Sequence, residues 1–97
     1  MERDPDSYVV VDLETTGLQP AKDRILEIGA VKVENGEVKD TFCTFINPRM
    51  AIPPFIQALT GITQDMVENA LTAEQAFYEF LDFCGDRDLM GHNLMFD

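Results

Sequence analysis

The segment Tyr8-Val9-Val10-Val11-Asp12-Leu13 sets the first limit on the fold, because it is an almost unbroken apolar and β-branched run. Valines lose side-chain freedom in a helix and pack well on a pleated surface, so the run reads as a strand. Its lack of alternation predicts a central strand covered on both faces. Gly17 and Pro20 break it. A second β-rich run covers residues 25–33, Asn35-Gly36 then favours a tight hairpin turn, and a third strand returns over 38–46 before Asn47-Pro48. These three strands are expected to form an antiparallel meander.

From Pro53 the pattern turns helical. Residues 55–59 suit a short helix with prolines before it and Gly61 stopping it. Thr63 is a suitable N-cap for a further turn carrying Met66 and Val67. The spacing predicts a longer helix over 73–84, with Thr72 and Gln75 as a capping box and Gly85 as its stop. Ala73, Phe77, Phe80, Leu81 and Cys84 fall on one face of it, whereas Tyr78 and Phe83 do not. A short fourth strand over 88–92 follows, and the right-handed crossover rule places it parallel to the first. The expected class is α/β: a mixed sheet of a three-stranded antiparallel meander plus a parallel fourth strand, with flanking helices.

Ninety-seven residues without repeats or linkers suggest one domain, and 45% hydrophobic residues, seven of them Phe, suffice for a core. Seven Lys and Arg against eighteen Asp and Glu leave a net charge of −11, so bulk charge does not hold this chain to DNA or to an anionic membrane. Lys22, Arg24, Arg49 and Arg87 are scattered and form no basic stripe. Cys43 and Cys84 have neither the number nor the spacing of a disulfide scaffold or metal knuckle. The acidic N-terminus lacks the order of a signal peptide, and no apolar run approaches the ~18 residues of a membrane span. The expected setting is cytoplasmic and reducing, with no membrane partner.

Asp12 and Glu14 are the sharpest chemical feature. Residues i and i+2 of a strand project from the same face, at the end of the strand where α/β sheets usually bind ligands. Two carboxylates this close repel, which raises at least one pKa unless a cation intervenes. Hard divalent cations accept such oxygen ligands. Glu27, within the second apolar run, reads as an acid that pairs with a backbone or side-chain donor.

Val10-Val11-Asp12-Leu13-Glu14-Thr15-Thr16-Gly17-Leu18 resembles the first motif of the DEDD, or DnaQ-like, 3′–5′ exonucleases. That group includes the proofreading subunits of bacterial DNA polymerase III and the exonuclease domains of C-type replicative polymerases. Three further segments agree in order: 25–31 resembles the second strand, 59–67 a substrate-side loop, and 91–97 the second motif, whose Asp is Asp97. The resemblance implies a ribonuclease-H-like fold. It also implies a two-metal phosphodiesterase in which Asp12, Glu14 and Asp97 hold Mg²⁺ or Mn²⁺, two ions per complete site, and release nucleoside 5′-monophosphates. The implied substrate is a single-stranded or frayed DNA 3′ end, with a polymerase or other replication protein as partner. Thr15, Thr16 and Gly17 match positions against the terminal nucleotide and Leu18 one that packs on its base, while Asn93 and Gly61-Ile62-Thr63 would line the same cleft.

The chain departs from the family pattern in two places. The third motif, a His followed five residues later by a fourth carboxylate, has no counterpart, and that His is the general base, a role usually contributing about 10²–10⁴-fold. His92 occupies the His of Gly-His-Asn and does not substitute for it, and Thr60 stands where many relatives have His. Residues 1–97 are therefore expected to be the N-terminal portion of an exonuclease domain, incomplete at its C-terminal side, inactive alone and prone to self-association through uncovered apolar surface. Two other readings stay open: an exoribonuclease of the oligoribonuclease type, and a catalytically silent nucleic-acid-binding or assembly module.

Overall fold

A computed structural model describes residues 6–19 and 21–91. The elements follow in the order β1 (Ser7–Thr15), β2 (Ile25–Glu34), β3 (Glu37–Phe45), α1 (Pro54–Thr60), α2 (Gln64–Glu68), α3 (Ala73–Cys84) and β4 (Asp88–Gly91). Asn35 and Gly36 join β2 to β3 with φ of 53° and 79°, the two left-handed residues that a tight hairpin matching strand twist requires. The strands form one sheet in the order β3-β2-β1-β4, with β1 antiparallel to β2, β2 antiparallel to β3, and β4 parallel to β1. This is the mixed sheet expected from the sequence.

Parity along β1 divides the molecule. Val9, Val11 and Leu13 are buried and pack with Ile28 and Ala30 of β2 against Ala76, Phe80 and Cys84 of α3. The alternate residues Val10 and Asp12 are exposed among the described residues. Where the sequence predicts both faces covered, among the described residues α3 covers one face, and Val10 and Asp12 on the other are exposed. The hydrophobic run is continuous in sequence, but only every second valine has a partner layer.

The buried stripe of α3 also differs from the sequence reading. Ala76, Phe80 and Cys84 form it, whereas Ala73, Phe77 and Leu81 are exposed. Residues 73, 77 and 81 form the neighbouring i, i+4 row, and a cavity of about 310 Å³ between α3 and the sheet, bordered by Ala73 and Phe77, keeps that row from full contact. Phe83, off the main stripe, is half-buried against Phe42 and lies under the Lys32 ammonium, 4.6 Å from the ring centre. Thr72 caps the helix reciprocally: Gln75 N donates to Thr72 Oγ1 at 3.2 Å and Thr72 N donates to Gln75 Oε1 at 3.1 Å.

A second cluster, Leu26 with Ile52, Ile56, Ile62 and Val67, anchors α1 and α2. Its origin is a β-bulge. Glu14 pairs with Glu27 and Thr15 with Ile25, so Leu26 is an extra residue without a partner on β1. The bulge releases Leu26 from the α3 core and turns it into the second cluster. Arg87 fixes the start of β4, donating to Ser7 Oγ at 3.1 Å and pairing with Glu34. Gly91 lets β4 approach β1 closely, since a Cβ there would lie 2.0 Å from the Val11 carbonyl oxygen. Among the described residues no helix is long and apolar enough to cross a membrane.

Candidate active site

Asp12 and Glu14 lie within β1 rather than beyond it, on the face that α3 does not cover. Across the ladder Asp12 faces Gly29 and Glu14 faces Glu27, and Cys43 on β3 faces Gly29 in turn. Gly29 therefore adds no side chain between Asp12 and Cys43. Partial burial, then the charges of Asp12 and Glu27, push the Glu14 carboxyl above its ordinary value of 4.5. Such crowding is what an uncompensated carboxylate cluster produces.

Glu27 pairs with a side-chain donor, as the sequence suggested: Cys43 Sγ donates to Glu27 Oε2 at 3.2 Å. The thiol is pushed above its ordinary value of 9.0 by that bond first, then by burial and by the negative charge of Glu27. The partner is a cysteine on the adjacent strand, which no spacing rule along the chain identifies.

The segment after β1 folds back on itself. Thr16 Oγ1 donates to Asp23 Oδ1 at 3.0 Å and accepts from Arg24 N at 2.9 Å, and Gln19 N donates to Asp23 Oδ2 at 2.9 Å. Thr15 Oγ1 donates to the Gly17 carbonyl at 2.6 Å. Both threonines are buried, so their hydroxyls hold the loop instead of reaching into open space. A Cβ at Gly17 would lie 2.4 Å from the Asp23 carboxylate, so a side chain there would displace the clamp.

A cleft of about 530 Å³ opens beside this loop. Glu14, Gly17 and Leu18 border it on one side, and Phe55, Leu59 and Thr60 on the other. Leu18 is 78% exposed, and Phe55 and Leu59 are each 70% exposed. Three large apolar side chains held in water around a carboxylate form a surface suited to the flat face of a nucleobase.

The loop Gly61-Ile62-Thr63 does not border this cleft. Ile62 is buried in the second cluster, Gly61 ends α1 with φ of 77°, and Thr63 is the N-cap of α2. Among the described residues, α1 supplies the second wall of this cleft through Phe55, Leu59 and Thr60. The signal was present in the i, i+4 pair Phe55 and Leu59: a seven-residue helix that buries Ile56 points those two away from the core. Asn93, Asp97 and His92 lie outside the described residues.

Among the described residues no group of three or more His, Cys, Asp or Glu side chains is placed to hold a metal ion. Asp12 and Glu14 are two hard oxygen donors, and in kind they fit Mg²⁺ or Mn²⁺. The raised Glu14 carboxyl fits the same donor set, since a bound cation would relieve its repulsion.

The strand order and the paired carboxylates define a mixed α/β domain with an acidic strand face, and comparison with known proteins places it. Residues 9–97 match the exonuclease family of RNase T type, and the chain belongs to that family. Over 92 residues it is 47% identical to the PolC-type DNA polymerase III of Clostridium perfringens, a match covering 95% of this chain and 6% of that protein. Among solved structures it is similar to exonuclease X in complex with 5′-overhanging duplex DNA, at 29% identity and a TM-score of 0.77, over 93% of this chain and 51% of that one. It is also similar to the nuclease domain of 3′hExo, a DEDDh family member bound to rAMP, at 25% identity and a TM-score of 0.76, over 93% of this chain and 54% of that one. The chain thus spans a small part of the polymerase and about half of each nuclease structure.

Proposed function

We propose that this chain supplies the metal-binding front of a 3′–5′ exonuclease that removes nucleoside 5′-monophosphates from single-stranded or frayed DNA ends. The observation that carries this reading is the placement of Glu14, with Asp12 beside it on one strand face, at the edge of an apolar-walled cleft in a chain of the exonuclease family. Asp12 and Glu14 would hold Mg²⁺ or Mn²⁺, with Asp97 as the third carboxylate that the family resemblance supplies. Bound there, the ions would supply Lewis acidity for phosphodiester hydrolysis.

The remaining steps belong to the chain's own residues. Leu18 on one wall and Phe55 and Leu59 on the other would grip the terminal base and exclude water from its faces. Gly17, whose missing side chain makes room for the Asp23 carboxylate, lets that clamp hold the loop on the cleft wall. Asn93 would join the same cleft. The family's third motif, which carries the general base, has no counterpart in these 97 residues, and they are expected to be inactive by themselves. The PolC-type relative supports a cytoplasmic replication setting in which a polymerase delivers the 3′ end.

The test is Asp12→Ala in the full-length protein, assayed with 5′-labelled and 3′-labelled oligonucleotides in Mg²⁺ or Mn²⁺. Mononucleotide release from the 3′ end should fall by at least ~10²-fold, the scale of removing one preorganised electrostatic partner of a transition state. Full retention of hydrolysis in the variant would overturn the assignment. Equal-length DNA and RNA substrates decide the class of nucleic acid, and faster release from RNA would replace the DNA reading with the exoribonuclease one.

A further inference from the structure

A net charge of −11 is a poor starting point for a protein that grips a polyanion, so the placement of its few cations carries information. Of the seven Lys and Arg, Arg3 lies outside the described residues. Three others are engaged elsewhere: Lys32 over the Phe83 ring, Lys39 with Glu37 at 3.0 Å, and Arg87 with Glu34 and Ser7. Among the described residues, the side chains of Lys22, Arg24 and Arg49 make no hydrogen bond or ion pair.

All three stand at one end of the molecule. Lys22 borders the cleft that contains Glu14. Arg24 and Arg49 border a second cavity of about 620 Å³, and Asp23 is common to both. The Asp23 carboxylate between the two cavities is held in place, one oxygen accepting from Thr16 Oγ1 and the other from Gln19 N, and it keeps its negative charge. Glu74 is the other carboxylate on the second cavity, in the first turn of α3. Arg49 is presented by a tight turn in which its backbone N–H donates to Asn47 Oδ1 at 2.8 Å, and Met50 of the same turn touches Thr16. The turn and the 16–24 loop are therefore packed together.

We infer that Lys22, Arg24 and Arg49 form a phosphate track that leads a single strand over the 16–24 loop into the carboxylate cleft. The inference rests on the nuclease reading and extends it, by naming residues that hold the strand away from the scissile bond. The track would place three cations without side-chain partners along one path, interleaved with the Asp23 and Glu74 carboxylates. The ligand is the sugar–phosphate backbone, so the track favours no base sequence.

The test is binding of fluorescein-labelled oligothymidylate to the full-length protein in EDTA, followed by anisotropy across a salt series. Each phosphate contact on a single strand contributes about 0.7 to the slope of log affinity against log salt, so Arg24→Gln with Arg49→Gln should lower the slope by about 1.4. Arg24→Lys with Arg49→Lys should restore most of it, which separates lost charge from lost folding. An unchanged slope in the Gln pair, or no measurable binding by the unmodified protein, overturns the track. The nuclease reading is judged separately by hydrolysis. A reduced slope in a protein that never cuts would keep the track and remove the nuclease, and an unchanged slope in an active enzyme would do the reverse.

Discussion

The two faces of β1 are built from neighbouring residues and behave as different materials. On one, Val9, Val11 and Leu13 meet Ala76, Phe80 and Cys84 of α3 in an apolar core. On the other, Asp12 and Glu14 stand beside Glu27, and partial burial, then the charges of Asp12 and Glu27, raise the Glu14 carboxyl. The first face stabilises the fold and has no chemistry. The second weakens the metal-free fold and holds the groups a cation would bind. Alternation along one strand lets the sheet keep these demands apart, since a side chain added to either face leaves the other unchanged.

If that division is correct, Phe80→Ala should cost about 3–5 kcal/mol in urea unfolding, with cleavage per folded molecule preserved. A loss of activity at full folding would mean that the faces are coupled.

Glu14→Gln probes the other face. Because the folded-state pKa of Glu14 is raised, its favourable contribution is present below the ordinary 4.5 and is lost as pH rises through the folded value. In metal-free buffer the Gln variant should therefore melt above the parent at neutral pH, the gap closing as pH falls toward 4.5. Added Mn²⁺ should raise the melting temperature of the parent and not of the variant. Equal melting at every pH would show that the carboxylate face carries no strain.

The smallest effect is expected at Cys43. Removing the carboxylate that raises its pKa, by Glu27→Gln, should speed alkylation of this thiol several-fold at neutral pH, with buried Cys84 unaffected. Unaltered labelling would place Glu27 outside the cluster.

Much of this was legible from the chain because local signals agreed. Asn35-Gly36 fixed the hairpin, Thr72 with Gln75 started α3, and Gly61 ended α1. The i, i+2 spacing of Asp12 and Glu14 placed both on one face. What escaped was set by partners distant in sequence. Val10 is as hydrophobic as Val11, and only the position of α3 decides which is buried. The burial of Ile62 likewise depends on a partner far along the chain, Leu26. The Glu27–Cys43 pair arises from strand register, which residue spacing does not encode.

The bulge at Leu26 makes β2 a strand that must be counted as well as composed. Leu26 reaches α1 while Ile28 reaches α3, so two residues apart on one strand serve two separate packing units. Deleting one residue between Ile25 and Glu27 would restore a regular ladder and at the same moment detach the wall of the cleft from the sheet. Variation in this chain is thus far freer in residue type than in length at that point. Any outward swing of α1 to admit a substrate would pull on the strand that bears Glu27, giving the cleft a mechanical link to its own charges.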